Sequence, residues 1–200
     1  MALNLNRAKE LGMWLHERTN GLNLPQNDRI RIGGTVLHLA LEHYDAIIVL
    51  IDARLYGSAF SLARLLLEAY VRGAWLLNVA SDTERQSYMK GKCPDFYKLL
   101  DAIGDDPETG GAWIKGTKEK NWTQFNELTH GGACHVIRRN TEEAIESAYP
   151  EEELSRLLEF SGEVAIRVAA ELFAVADDEL LLTQLAEKAA IIRGHPNRLA

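Results

Sequence analysis

Apolar side chains recur at helical spacing along most of this chain. The segment from Leu5 to Asn20 carries them every three or four positions, and the same period continues from Arg29 to about Leu55. Asp28 is the expected N-cap of this second helix, and the Gly33–Gly34 pair is expected to weaken or bend its beginning. A third helix is predicted from Gly57 to Ala80. Because the connection is short, helices two and three are expected to run antiparallel.

Shorter elements follow the third helix. Ser81 and Glu84 form a capping-box pattern that opens a fourth helix ending near Gly91. A brief helix is predicted over 96–103, and the glycine-rich stretch 104–111 is the strongest loop signal in the chain. Residues 112–140 are expected to form helical pieces interrupted at Gly116 and at Gly131–Gly132.

The last part of the chain carries two more helical patterns. Pro150 lies in the first turn of a long helix that runs to about Ala176, and an acidic cap precedes a terminal helix from Leu180 to Ile192. The tail after it is expected to fray. No alternating run of strand length stands out. The sequence therefore predicts a single all-α domain over residues 1–200, an up-and-down bundle of about four long helices with short accessory helices at one end.

The third helix combines a nearly continuous apolar surface with charged residues. On a helical wheel Arg64, Glu68 and Arg72 share an arc of roughly 120° with Ser61, Trp75 and Asn78. A helix that is apolar on nearly every side is normally enclosed by other helices, and charges in such a place need partners. We therefore expect these three charges to be met by another part of the chain or by a ligand.

The second helix has a polar stripe of its own. Its members lie within an arc of about 80°, and they allow two interpretations. The stripe is a solvated face, or it turns toward the third helix, where Asp45 or Glu42 would pair with an arginine. The stripe consists of Arg31, His38, Glu42, Asp45, Asp52 and Tyr56.

Composition narrows the function classes. The formal net charge of −7 argues against broad non-specific nucleic-acid binding, and its acidic excess lies in the second half of the chain. The two cysteines, Cys93 and Cys134, have no zinc-site spacing. No secretory signal pattern and no apolar run of membrane-spanning length stand out. The expected location is cytoplasmic, without a membrane partner.

A histidine-rich segment is the second candidate for chemistry. His130 and His135 flank Cys134 and precede Arg138 and Arg139, which suits acid–base or phosphate chemistry. The alternative is a glycine-loosened helix start with exposed polar residues.

A metal site is a weaker candidate. His38 and His43 lie about 140° apart on a helix, so they cannot share one ion with Glu42 without help. We predict no metal site and no cofactor.

These residues also carry a resemblance. The pattern from Ser58 through Arg64, Glu68 and Arg72 to Leu76, with Leu128–Gly131 some way later, resembles a group of uncharacterised bacterial all-helical proteins over roughly residues 35–139. That group is similar in layout to HEPN-type bundles, many of which are ribonucleases or toxins in phage defence and toxin–antitoxin pairs. Those enzymes use Arg-x4-His on one helix at a dimer interface, whereas no arginine in this chain has a histidine five positions later.

Two functions are therefore expected, in this order. The first is a non-catalytic interaction module of bacterial defence or toxin–antitoxin type, with a protein partner or a homodimer. The alternative is a HEPN-like ribonuclease or nucleotide hydrolase with a displaced Arg/His site, acting on RNA or a nucleotide. Its catalytic residues would be His130, His135 and Glu68, and its substrate-binding residues Arg64, Arg72 and Arg138.

Overall fold

The computed structural model describes residues 2–104 and 111–193, and within them the chain forms nine helices and no strand. One isolated antiparallel bridge joins Asn140 and Ile145. The predicted all-α fold is confirmed. In chain order the helices are α1 (Ala2–Thr19), α2 (Asp28–Asp52), α3 (Tyr56–Asn78), α4 (Asp82–Met89), α5 (Phe96–Ile103), α6 (Gly111–Thr129), α7 (Ala133–Ile137), α8 (Glu151–Val175) and α9 (Glu179–Ile192).

The central helix is α3. Most of its side chains are buried, and it packs against α2, α5, α6 and α8. The prediction that neighbouring helices enclose this element is confirmed, and its polar arc therefore lies in a partly covered place rather than on an open surface.

Helices α2 and α3 approach each other closely because each contributes a glycine to the contact. A Cβ at Gly33 would lie 3.0 Å from the backbone nitrogen of Leu77, and one at Gly73 would lie 2.7 Å from the Leu37 side chain. The pairing of early α2 with late α3 confirms the antiparallel arrangement. The glycines lie inside continuous helices, where they serve close packing.

Helix starts follow the capping rules with one shift. The side chain of Asn27, not Asp28, caps α2 by accepting from the Ile30 N–H at 3.0 Å. The predicted capping box between Ser81 and Glu84 is present, and Asp178 caps α9 by accepting from the Leu181 N–H.

The predicted interruption of the helix at Gly116 is wrong. Helix α6 runs unbroken through this residue because Ile114, Phe125 and Leu128 pack into the core, and tertiary packing outweighs the low helix propensity of one glycine. The interruption at Gly131 is correct: this residue has φ +70° and ends α6 before α7 begins.

Two predicted irregular segments fall largely outside the described residues. They are the interior of the 104–111 loop and the tail after Arg193.

Helix α2 alone, among the described helices, is long and apolar enough to span a bilayer by composition. Its core face packs against α1, α3 and α8, and residues such as Leu37, Tyr44 and Ile47 are buried there. One face of α2 is therefore part of the core of the bundle.

Candidate functional site

Three charged side chains form a ladder along α3, which we call the α3 ladder: Arg64, Glu68 and Arg72. The Nε of Arg64 donates to Oε1 of Glu68 at 2.6 Å, and the Nη2 of Arg72 donates to Oε2 at 2.7 Å. Only 9% of the Glu68 side chain is exposed, against 22% for Arg64 and 30% for Arg72. Two guanidinium groups thus share one buried carboxylate, and they leave a local positive charge at the solvent side.

Arg64 is also held from outside its helix. Its Nη1 lies 3.0 Å from Nε2 of His130, and its guanidinium carbon lies 4.8 Å from the centre of the Trp122 ring. A guanidinium can only donate hydrogen bonds, so Nε2 of His130 accepts and the ring proton resides on Nδ1. The geometry therefore places an exposed histidine, with Nε2 as the acceptor, against an arginine that is fixed on three sides.

The chain brings His130 to α3 through the end of α6. The Ser61 hydroxyl donates to the carbonyl of Leu128 at 2.8 Å, and the Thr129 hydroxyl lies 3.4 Å from the carbonyl of Ser61. Gly131 then reverses the chain with its positive φ. These contacts fix the end of α6 against α3 at Ser61, one helical turn before Arg64. His130, the residue after Thr129, therefore faces Arg64.

The second predicted histidine lies in a different environment. Nε2 of His135 is 2.6 Å from the Leu128 carbonyl, and its Nδ1 is 2.6 Å from the Tyr149 hydroxyl. A carbonyl only accepts, so Nε2 carries the proton and Nδ1 accepts from Tyr149. Both ring nitrogens are engaged, and this histidine ties α7 and the irregular segment before α8 to the end of α6.

Arg138 is also separate from the α3 ladder. Its Nε and Nη2 bind the carboxylate of Glu153 at 2.6 and 2.9 Å, and its Nη1 donates to the carbonyl of Cys134. The hydrogen bonds to Glu153 raise the pKa of the Arg138 guanidinium. This fork-to-fork pair joins α7 to the first turn of α8.

The far end of the α3 ladder reaches the α4–α5 connection. Burial opposes the charge of Arg72, yet its contacts with Glu68 and Cys93 raise the pKa of its guanidinium. Burial and the nearby Cys93 raise the pKa of the Tyr88 hydroxyl, while Arg72 acts in the opposite direction. Cys93 and Tyr88 therefore border the same charged strip.

The polar stripe of α2 does not meet the α3 ladder. Asp52 pairs with Lys9 of α1 at 2.8 Å, and Asp45 lies with His16 and His38 beside a cavity of about 220 Å³ between α1 and α2. Burial raises the pKa of the Asp45 carboxyl, and the two histidines oppose that shift. The hypothesis that Asp45 or Glu42 pairs with an α3 arginine is wrong, because the stripe faces α1 and solvent. Tyr56 begins α3 instead of ending α2.

The structure thus brings together Arg64, Glu68, Arg72 and His130, and it places His135 and Arg138 elsewhere. The role of Trp122 does not follow from the sequence, because its spacing indicates only a core residue. In the structure its ring stacks on Phe96, and this contact supports the face that it offers to Arg64. The described residues contain no group of three or more His, Cys, Asp or Glu arranged to hold a metal ion.

Comparison with known proteins leads to one family. No curated protein and no solved structure matches the chain. A family model described as "Family of unknown function (DUF6988)" matches residues 37–194. This match covers most of α2 and all of α3 to α9, and it includes the α3 ladder and His130. The chain therefore belongs to the DUF6988 family of unknown function.

Proposed function

We propose that this protein is a HEPN-like ribonuclease of bacterial defence or toxin–antitoxin type, with an Arg/His pair assembled from α3 and the end of α6. The observation that carries the proposal is the 3.0 Å contact between Nη1 of Arg64 and Nε2 of His130. A positioned arginine beside an exposed histidine supplies a phosphate ligand and a proton acceptor at one place.

The contact itself suggests how substrate would start the reaction. A phosphodiester oxygen that accepts the hydrogen bond from Nη1 of Arg64 replaces His130 as acceptor, and the Nε2 lone pair becomes free. The freed nitrogen then accepts the proton of the RNA 2′-hydroxyl, and the 2′-oxygen attacks phosphorus. The bond from phosphorus to the 5′-oxygen breaks, and water protonates the leaving 5′-oxygen. Arg64 stabilises the charge that develops on the phosphoryl oxygens.

The remaining contacts keep Arg64 ready for this role. Glu68 holds Nε, Trp122 covers one face of the guanidinium, and no described residue accepts from Nη2. Arg72 adds a second positive charge beside the same carboxylate. The group that would meet a phosphate is therefore oriented before substrate arrives, which lowers the reorganisation needed in the transition state.

The test is cleavage of an end-labelled mixed-sequence RNA by the purified chain. We expect His130→Gln and Arg64→Ala to lose at least about 100-fold in rate, the contribution typical of one acid–base group, with unchanged helical content. His38→Gln on the exposed face of α2 and Arg156→Gln on α8 are the matched controls and should cleave like the wild type. Equal cleavage by His130→Gln and the wild type would refute the proposal.

A second candidate function is the non-catalytic interaction module. The observation that favours it is the apolar surface after His130, where Val136, Ile137 and Ile145 are 59%, 73% and 87% exposed. Exposed apolar groups of this kind suit a protein partner. A wild-type chain that cleaves no RNA, and whose binding to a partner is lost in Ile137→Asp but kept in His130→Gln, would favour this module over the enzyme.

A further inference from the structure

Helix α5 carries the most exposed aromatic side chain of the chain. Its apolar face packs into the core through Phe96, Leu99, Leu100 and Ile103, and Tyr97 lies outside that face with 51% of the residue exposed. Every other Phe, Trp and Tyr is buried or only partly exposed, and all of them lie in the described segments. Tyr97 is therefore the aromatic ring that is most open to a ligand from solvent.

The neighbours of Tyr97 hold its ring in place. The ring lies edge-on to Trp122, with ring centroids 6.2 Å apart. Trp122 is itself stacked on Phe96 at 4.6 Å, and the Arg64 guanidinium carbon lies 4.8 Å from the centre of the Trp122 ring. Because Phe96 and Arg64 cannot occupy the same face of Trp122, both faces of that ring are taken. A planar ligand can therefore stack on Tyr97 and not on Trp122.

Cations lie around the Tyr97 ring. The Nζ of Lys118 on α6 lies 4.2 Å from the centre of this ring, and Arg64 lies on the far side of Trp122. The segment 90–101 contains three lysines and two aspartates, so it is locally positive in a chain whose formal net charge is −7. Cations that follow the phosphates, together with rings on which bases stack, are the arrangement that binds single-stranded nucleic acid.

We propose that Tyr97 and Lys118 form a base-stacking subsite for single-stranded RNA beside the Arg64–His130 pair. This inference rests on the proposed function, because the pair supplies the phosphate position from which the strand extends. The contacts from His130 to Arg64, from Arg64 to Trp122 and from Trp122 to Tyr97 are continuous, at 3.0, 4.8 and 6.2 Å. One strand therefore reaches both places.

The Lys118 ammonium occupies the position over the ring that a base would take. A base that stacks on Tyr97 displaces this ammonium, and the flexible lysine side chain, which has three donors, then meets a neighbouring phosphate. In a duplex the faces of the bases are covered by their neighbours in the stack, whereas an unpaired strand offers them to aromatic side chains. The subsite therefore selects single-stranded RNA over duplex RNA.

The first test is the affinity of the purified full chain for RNA of about ten nucleotides, measured by fluorescence anisotropy. The RNA carries 2′-O-methyl groups, so the attacking hydroxyl is absent and binding is measured without cleavage. The wild type should bind the single strand more tightly than the same sequence in a duplex. Tyr97→Ala should weaken binding of the single strand at least about fivefold, the lower bound for one stacked base, and leave binding of the duplex unchanged.

Two further variants at the same position separate stacking from apolar contact. Tyr97→Phe keeps the aromatic ring and should bind the single strand like the wild type. Tyr97→Leu keeps apolar bulk without a ring and should bind it as weakly as Tyr97→Ala. Helical content and melting temperature are measured for every variant, so that a loss of binding is compared at equal folding.

The second test concerns the phosphate contact of Lys118. In Lys118→Gln the slope of log affinity against log salt concentration should become shallower by about 0.7, the value for one phosphate contact on a single strand. Lys188→Gln is the matched control, because it removes the same charge from α9, which packs on α8 and α1. This control and Tyr97→Ala should keep the slope of the wild type.

The outcomes distinguish this subsite from the proposed enzyme. Equal affinity of Tyr97→Ala and the wild type for the single strand, or of the wild type for single strand and duplex, would overturn the subsite even where His130 proves necessary for cleavage. An unchanged salt slope in Lys118→Gln would overturn the phosphate contact. Binding that depends on Tyr97, without cleavage of unmodified RNA by the wild type, would support the subsite and overturn the ribonuclease.

Discussion

The pair formed by Arg64 and Glu68 should contribute more to stability than an exposed pair with the same spacing. The comparison is a double-mutant cycle on this pair and on Glu152 with Arg156, which also lie four residues apart in one helix. The first pair has side chains that are 22% and 9% exposed; the second has side chains that are 76% and 68% exposed. Burial is thus the main difference between the two cycles.

The expected magnitudes follow from this difference. An exposed pair four residues apart is worth about 0.3–0.5 kcal/mol, whereas a hydrogen bond to a charged group contributes about 1.5–3 kcal/mol when it is well shielded. Because Arg64 keeps some water contact, we place its coupling to Glu68 near the lower end of that range, at about 1.5 kcal/mol. The order of the charges along the helix would by itself rank the two coupling energies the other way. An acidic residue four positions before a basic one is the more favourable order, and the control pair, Glu152 and Arg156, has that order.

The assay is the free energy of unfolding from urea titrations of the wild type, the four single alanine variants and the two double variants. Removing Arg64 also breaks its contacts with Trp122 and His130. This loss occurs both when Glu68 is present and when it is absent, so it cancels in the coupling energy. At 1 M salt the coupling of the control pair should vanish, while that of Arg64 with Glu68 should largely persist. A coupling for Arg64 and Glu68 no larger than that of the control would refute the inference that the α3 ladder is shielded from water.

Two further predictions concern packing and pH. Gly73→Ala should destabilise the fold by about 1–3 kcal/mol because its Cβ would press on Leu37. The Cβ of Gly116→Ala meets nothing within 4 Å, so this variant should stabilise α6 by up to about 1 kcal/mol. Equal urea midpoints for the two variants would contradict this prediction. Burial raises the pKa of Glu171, opposed by the hydrogen bond from Asn78, so its folded form binds a proton more tightly than its unfolded form and stability falls as pH rises above about 4.5. Glu171→Gln should therefore gain stability relative to the wild type between pH 4.5 and 7.5, and a constant difference would count against it.

Local rules account for most of the fold. The period of apolar residues predicts the helices, the Ser81 capping box predicts the start of α4, and the polar arc predicts that Arg64, Glu68 and Arg72 share one face. The ladder follows from these, because residues four apart on a helix are neighbours. Each of these rules concerns residues close in sequence, which is the range over which sequence patterns carry information about contacts.

The contact between Arg64 and His130 joins residues that are 66 positions apart, and local patterns do not determine it. The contact depends on how far α6 runs before it ends, and Gly116 wrongly predicts an interruption within this helix. It also depends on the hydrogen bond between Ser61 and Leu128, which fixes the end of α6 to α3. The histidines themselves gave no basis for choosing between His130 and His135. Only the tertiary position of α6 separates an exposed ring beside an arginine from a ring whose two nitrogens are occupied.

The position of the α3 ladder explains why folding and function are hard to separate in this chain. Glu68 is buried in the most enclosed helix and orients Arg64, so its removal disturbs the core and the candidate site together. His130 is exposed, lies after the end of α6, and contacts the ladder through one side-chain atom pair. Its replacement removes the proposed proton acceptor and leaves the Ser61–Leu128 contact in place. His130 is therefore the residue at which a loss of activity can be assigned to chemistry and not to folding.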